Sequence, residues 1–221
     1  MSLNKSISFI KDITASFDVD AQKGFTPICP NELPVPDGHT IVEELNSQAN
    51  YAKFRVCSKD WHPLDPIWLA TKENPQFKPI KDILYPEVDM FWNSHCVGGT
   101  KGSELLDGLP APLIYDMAVY KGLEKDTHPY GACYHDLQEK KSTGILEFFK
   151  QKGVNNVIVG GLATDFCVKI TALQLKKAGF NVVVNLGACK GISDSSVKLA
   201  IDELIESNVY IINTLEEIKL L

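Results

Sequence analysis

The chain contains no apolar run approaching the roughly 20 residues that a bilayer-spanning helix requires, so no membrane-embedded segment is expected. Nor does it carry an excess of positive charge. With 22 Lys and Arg against 28 Asp and Glu, the net charge is −6. Nucleic acid and acidic membrane are therefore poor partners, since each would want a basic surface. The six cysteines (Cys29, Cys57, Cys96, Cys133, Cys167 and Cys189) include no C-x-x-C pair and no zinc-finger spacing. Met1 to Asp12 lacks the charged-then-apolar pattern of an export signal. Reduced thiols in a cytoplasmic protein are the expectation. What is present, 221 residues with 44% hydrophobic and 23% charged side chains, is enough for one domain with a large core over 1–221.

The most informative stretch is V-I-V-G-G-L-A-T-D-F-C-V-K-I-T, from Val157 to Thr171. Val157 to Val159 suit the end of a buried strand. Gly160 and Gly161 permit backbone approaches that a side chain would forbid. Thr164 and Asp165 are N-cap types, with Phe166, Ile170 and Leu173 at helical spacing behind them. Cys167 then falls in the first turn of a helix. The dipole and the unpaired N–H groups there favour thiolate over a thiol whose unperturbed pKa is about 8.5.

The remainder alternates strands and helices. Phe17 and Val19 mark a first strand running into Asp20, followed by a Pro-rich loop to Pro36. Asp37 is the expected cap of a helix bearing Ile41, Val42, Leu45 and Ala49. Phe54, Val56 and Cys57 mark a strand ending at K-D-W-H-P. Residues 63–110 form a long irregular excursion without a core of its own, of the kind that often carries function. Leu113 to Val119 read as a strand delivering Lys121, and Ser142 or Thr143 as the cap of a helix containing Ile145, Leu146, Phe148 and Phe149. Then follow the Cys167 unit, a strand at Val182–Val184, a helix from Asp194 to Ser207, a strand at Val209–Ile212 and a short terminal helix. Such alternation, with several strands apolar throughout, predicts an α/β fold with a parallel sheet covered on both faces. Ligands in such folds bind beyond the carboxyl ends of the strands. Asp20, Asp60, Lys121 and Cys167 each follow a predicted strand, so all four should meet on one rim.

A thiol nucleophile needs a carboxylate or similar base within hydrogen-bond reach. Asp20 is the candidate, with Asp18 as its rival, and Lys121 would keep the carboxylate ionised. Asp60 and His62, two apart in extended chain, project to one side. With His95 they would make a three-ligand metal set with open positions. His39, His128 and His135 read as solvated loop residues.

V-D-A-Q-K-G-F, K-D-W-H-P, W-N-S-H-C-V-G-G-T, V-Y-K-G and G-G-L-A-T-D-F-C-V resemble, in order, the motifs of the isochorismatase-like cysteine hydrolases of nicotinamidase (pyrazinamidase) type. The likeness spans residues 19–168. It implies a three-layer α/β/α fold and hydrolysis of nicotinamide to nicotinate and ammonia through a cysteine thioester. It favours Asp20 over Asp18 and makes Asp20, Lys121 and Cys167 the triad. It also implies a cis peptide between Leu162 and Ala163, which turns the N–H groups of Ala163 and Cys167 toward an oxyanion. Asp60, His62 and His95 would hold a divalent ion, zinc foremost and iron or manganese otherwise, that binds the pyridine nitrogen. Phe25 and Trp92 would contact the ring, joined by Tyr130 or Tyr134. The chain departs from the pattern in one place. Family members often carry a further His soon after D-x-H, where this chain has Pro66 and Trp68. Another small amide or carbamoyl substrate, or a non-catalytic protein using Cys167 as a sensor thiol, are the alternative readings. The partner expected is a small amide, and association into a homo-oligomer is left open.

Overall fold

Period-two alternation in the strands builds the central sheet. The computed structural model describes residues 7–81 and 84–221. Strands β1 (Ile7–Phe9) and β8 (Ile218–Leu220) pair as a small parallel ribbon. The other six form one all-parallel sheet: β2 (Thr14–Val19), β3 (Phe54–Asp60), β4 (Met117–Lys121), β5 (Asn156–Leu162), β6 (Asn181–Lys190) and β7 (Tyr210–Ile212). Their spatial order is β4-β3-β2-β5-β6-β7. The chain winds outward from β2 to β4, then returns to the far side of β2 with β5. The switch point thus lies between β2 and β5, where open α/β sheets place their ligands.

Because successive side chains alternate across a strand, Ala15, Phe17, Val19, Val157 and Val159 join one core with Phe149 of helix α2 (Ile145–Gln151) and Ala172 and Leu175 of α3 (Lys169–Lys177). The opposite positions Ile158 and Val183 pack with Phe9 and Ile212. On that face Gln48 of α1 (Val42–Ala49) donates to Ser16 Oγ and to the Ile158 carbonyl. Helix α4 (Asp194–Glu206) adds Leu204 to the first core. Parallel strands buried on both faces agree with the expected α/β layering.

The excursion after β3 differs from its expected description. Among its described residues the strand pairing is limited to isolated bridges, such as Leu69 with Trp92, yet Trp68, Val88, Trp92, Cys96 and Leu106 are buried with Phe25, Leu33, Val35 and Ile41 in a second apolar cluster. Aromatic side chains spaced without period can still converge when the backbone folds back on itself. Positions 82 and 83 of this stretch lie outside the described residues.

Element ends differ as well. Pro112 locks φ and lacks a donor, so Pro112–Ile114 form a 3-10 turn with Leu113 97% exposed, and the strand begins only at Met117. Asp37 takes φ 55 and precedes a 3-10 turn, Gly38–Ile41, rather than capping α1. Gly144, at φ 90, occupies the N-cap of α2 in place of Ser142 or Thr143. The C-terminal helix is a single 3-10 turn, Leu215–Glu217, held by a Thr214–Glu217 capping box.

Candidate active site

Four strand ends supply the site, and each is held by local chemistry. Asp20 leaves β2 with φ 44. In a continuing strand Asp18 and Asp20 would share a face, but this turn separates them. Asp18 stays in the sheet, paired with Arg55 at 2.7 Å and accepting from Tyr115 at 2.8 Å. Asp20 swings to the rim, where Ser58 Oγ donates to its Oδ1 at 2.6 Å. At the end of β3, the Gln22 amide clasps Asp60: its Nε2 donates to the Asp60 carbonyl at 2.8 Å and its Oε1 accepts the Asp60 N–H at 2.7 Å. Lys121 is the register partner of Asp60 on β4. Gly161 in β5 has φ 135, and a Cβ there would strike the Val19 backbone, so the close passage of β5 beside β2 requires glycine.

After β5 the Leu162–Ala163 peptide is cis, as the resemblance implies. The expected cap does not form. Ala163 is the N-cap, Thr164–Val168 make a π turn leading into α3, and Asp165 instead accepts from Ile192 N–H at 3.1 Å and from Ser196 Oγ. Single π turns recur at functional positions in helices, and this one carries Cys167.

These elements converge. Lys121 Nζ lies 3.0 Å from Asp20 Oδ2, bonds Asp60 Oδ1, donates to the Pro129 carbonyl at 3.1 Å and sits 3.8 Å from Cys167 Sγ. One oxygen each of Asp20 and Asp60 and the Cys167 sulfur lie within 4.8 Å of one another. That trio could in principle ligate a cation, but the Lys121 ammonium already touches all three. Lys121 and Asp20 are both wholly buried.

Electrostatics revise one expectation. Burial pushes the Cys167 thiol well above its ordinary value; Lys121 opposes this, while Asp20 and Asp60 reinforce it. The helix-end argument for a resting thiolate therefore fails, since two carboxylates and the loss of water outweigh one ammonium. Burial likewise raises the Asp20 carboxyl, against the pull of Lys121. Burial also acts on Asp60, but the Lys121 ammonium, with His62 beside it, outweighs burial and holds this carboxyl far below the usual range. Lys121 loses some basicity to burial and regains more from Asp20 and Asp60, so it stays charged. The cluster is a protonated thiol beside an unusually basic carboxylate, the arrangement in which a proton moves only when the sulfur attacks.

Next to it stand His62, His95 and His128, each with a ring nitrogen within 4.8 Å of the others'. Gly122, at φ 70, lies so close that a Cβ would overlap the His62 ring, and its carbonyl receives His62 Nδ1 at 3.0 Å. His95 Nδ1 is 2.6 Å from the Asn93 carbonyl. These carbonyls fix the tautomers and leave the Nε2 lone pairs free, the usual support of a metal-ligating imidazole. Both Nε2 atoms face Asp60 Oδ2, at 3.4 Å and 4.0 Å. Burial lowers His95 to about 3 and His128 well below its ordinary value, with His62 adding to each shift, so both rings are neutral. Neutral buried imidazoles beside an ionised carboxylate fit a divalent transition metal. The expected set Asp60, His62 and His95 is thus brought together. His128, read from sequence as solvated, is 4% exposed in the same cluster. Its burial comes from tertiary contact with Trp68 and Trp92, which no local pattern around T-H-P-Y announces.

A narrow cavity opens onto both groups, walled by Phe25, Trp92, Tyr130 and Phe166 and floored by Asp60, His95, His128, Ala163 and Cys167. Phe25, Trp92 and Tyr130, expected beside a substrate ring, all line this cavity. Tyr134 does not: it bridges to Ser142 and packs on the core behind the sheet. The backbone ahead of it is pinned inward by Thr171 and Gln174, which accept the N–H groups of Ala132 and Cys133 at 3.0 Å and 3.1 Å. Phe166, part of the helical pattern in the sequence, proves to be a wall of the cavity.

Comparison with known proteins accords with this geometry. Residues 14–216 match the isochorismatase domain model. A nicotinamidase of Acinetobacter baylyi is 34% identical over 194 residues, covering 86% of this chain and 88% of its own. Among solved structures, an Acinetobacter baumanii nicotinamidase/pyrazinamidase aligns with TM-score 0.82 at 32% identity, over 91% of this chain and 96% of that one. A pyrazinamidase of Pyrococcus horikoshii in complex with zinc aligns with TM-score 0.72 at 27% identity, over 90% and 98%. The domain match over most of the chain and the likeness to these relatives establish that this chain belongs to the isochorismatase family.

Proposed function

We propose that the protein is an amidohydrolase that converts nicotinamide to nicotinate and ammonia, acting as one catalytic unit. The convergence of Cys167, Asp20 and Lys121 at a cavity bordered by metal-competent imidazoles carries this reading. The nicotinamidases and pyrazinamidases among its relatives support the choice of substrate.

The substrate ring enters between Phe25, Trp92 and Phe166 and presents its carboxamide to Cys167. As Sγ forms its bond to the carboxamide carbon, the thiol proton passes to Asp20, whose basicity burial has raised. The oxygen takes up the charge and is met by the N–H groups of Ala163 and Cys167, a contribution typically worth about 3 kcal/mol per donor. Asp20 then delivers the proton to the departing nitrogen, the C–N bond breaks and ammonia leaves a thioester. In the second half Asp20 takes a proton from water as its oxygen attacks the thioester carbon. The C–S bond breaks, and Asp20 returns the proton to the sulfur. Lys121 keeps Asp20 and Asp60 from repelling each other throughout. Asp60, His62 and His95 are the residues to hold a divalent ion, with zinc as the proposed metal. Bound there, such an ion supplies a Lewis-acid anchor for the pyridine nitrogen.

The test is ammonia release from nicotinamide, measured beside pyrazinamide and a panel of aliphatic amides and carbamoyl compounds. Turnover of the pyridine and pyrazine amides alone is the expected result. Turnover confined to aliphatic amides or carbamoyl compounds would overturn the substrate assignment while leaving the thiol chemistry standing.

A further inference from the structure

His128 is a buried polar side chain whose place the proposed reaction leaves unexplained. Its Nδ1 and Nε2 are both out of water and without a hydrogen-bond partner. Buried polar atoms in native proteins almost always have partners, so an orphaned pair points to a missing neighbour. One of those nitrogens lies within 4.8 Å of nitrogens on His62 and His95. The segment that presents it is tied down on several sides. Trp68 Nε1 donates to the Thr127 carbonyl at 3.0 Å, Lys121 Nζ to the Pro129 carbonyl at 3.1 Å, and His128 N–H to the Glu87 carbonyl at 2.9 Å. The ring is then packed against Trp68, edge-on at 4.4 Å between centroids, and stacked beside Trp92 at 5.7 Å. So costly a placement of an imidazole suits a ligand better than a space-filler, because an apolar ring would fill the same gap without stranding two nitrogens.

The donor count points the same way. One oxygen of Asp60 is engaged by Lys121, leaving a single oxygen toward the histidines. The chain also has Pro66 and Trp68, not imidazole, soon after Asp60-x-His62. We propose that His128 is a metal ligand, the third imidazole beside His62 and His95, brought in from the loop after β4. This assignment rests on the metal-site reading above. It makes the loop after Lys121 a shared support: Pro129 holds the triad ammonium, and the residue before it holds the ion.

The proposal is tested on the full chain by stripping metal with a chelator and titrating Co(II), followed through its visible absorption. In the wild type loaded with Co(II), proton NMR should show paramagnetically shifted ring signals from three imidazoles. His128→Phe keeps an aromatic ring against Trp68 and Trp92 but has no donor. It should bind Co(II) at least about tenfold more weakly, the low end of the loss seen even for partners outside a ligand set, with altered absorption bands. Shifted signals from two imidazoles in the wild type, or unchanged affinity and bands in His128→Phe, would overturn the assignment and leave the metal site intact. A raised KM in that variant with unchanged Co(II) binding would overturn it in favour of a substrate contact. Failure of the wild type to bind Co(II) or zinc would instead overturn the metal site as a whole. The wild-type NMR measurement decides the question even where the substitution impairs folding.

Discussion

Asp60 and Lys121 are register partners on adjacent parallel strands, and the carboxylate of one grips the ammonium of the other while its second oxygen faces His62 and His95. A single side chain therefore joins the thiol cluster to the imidazole cluster. The two halves of the site share a residue, so a change on either side is felt on the other.

Among the described residues, Lys121 is the one cation in contact with Asp20, and both are wholly buried. Lys121→Met keeps the chain's length but leaves two carboxylates facing each other without water. Removing one partner from a buried ion pair costs about 3–5 kcal/mol. Urea unfolding at neutral pH should show a loss of that order. The deficit should shrink in acid, where the carboxyls protonate.

Cys167 is 6% exposed and embedded in the apolar core. Cys167→Ala should fold, at a stability cost of about 1 kcal/mol typical of single substitutions. Its turnover should fall by at least about 10⁴-fold, as for other nucleophile deletions. Ammonia release from nicotinamide measures the second effect and thermal unfolding the first. Retained turnover would falsify the nucleophile assignment.

His62 lies beside Asp60 and His95 with its Nε2 free. If the ion anchors the substrate ring, His62→Ala should raise KM for nicotinamide by about tenfold or more, the scale on which disturbed metal sites lose affinity. It should change kcat less, because a ring anchor acts on ground and transition states alike. Chelation of the wild type should mimic the variant, and added zinc should reverse it.

Asp18 offers a pH test away from the chemistry. Burial raises its carboxyl to about 6, outweighing Arg55 and the Tyr115 hydroxyl. The folded state therefore binds this proton more tightly than the unfolded chain, whose Asp titrates near 3.9. Between those values the folded form keeps the proton and the unfolded form does not, so this group's contribution to stability falls as pH rises. At about 1.4 kcal/mol per pKa unit, the loss is on the order of 3 kcal/mol, complete above pH 6. Asp18→Asn should remove that decline from the stability profile between pH 4 and 6. An unchanged slope would show that Asp18 titrates normally in the folded protein.

Much of this was written locally in the chain. Apolar triplets such as Val157–Val159 and Val182–Val184 have one good use, a strand covered on both faces, and the residues just past them are carried to one rim whatever the loops do. Asp20, Asp60, Lys121 and Cys167 were legible for that reason. Element ends were less so, because Gly144 and Asp37 adopt left-handed backbone where the sequence offered ordinary caps.

What sequence could not supply was decided by contacts between distant segments. The protonation of Cys167 depends on carboxylates 147 and 107 positions away, at Asp20 and Asp60, and on water being excluded by the whole fold. His128 is a polar residue in a Pro-flanked loop until Trp68 and Trp92 close around it. Periodicity reports which face of an element is buried. Only the packed chain decides which charges lose their water and which of their neighbours answer them.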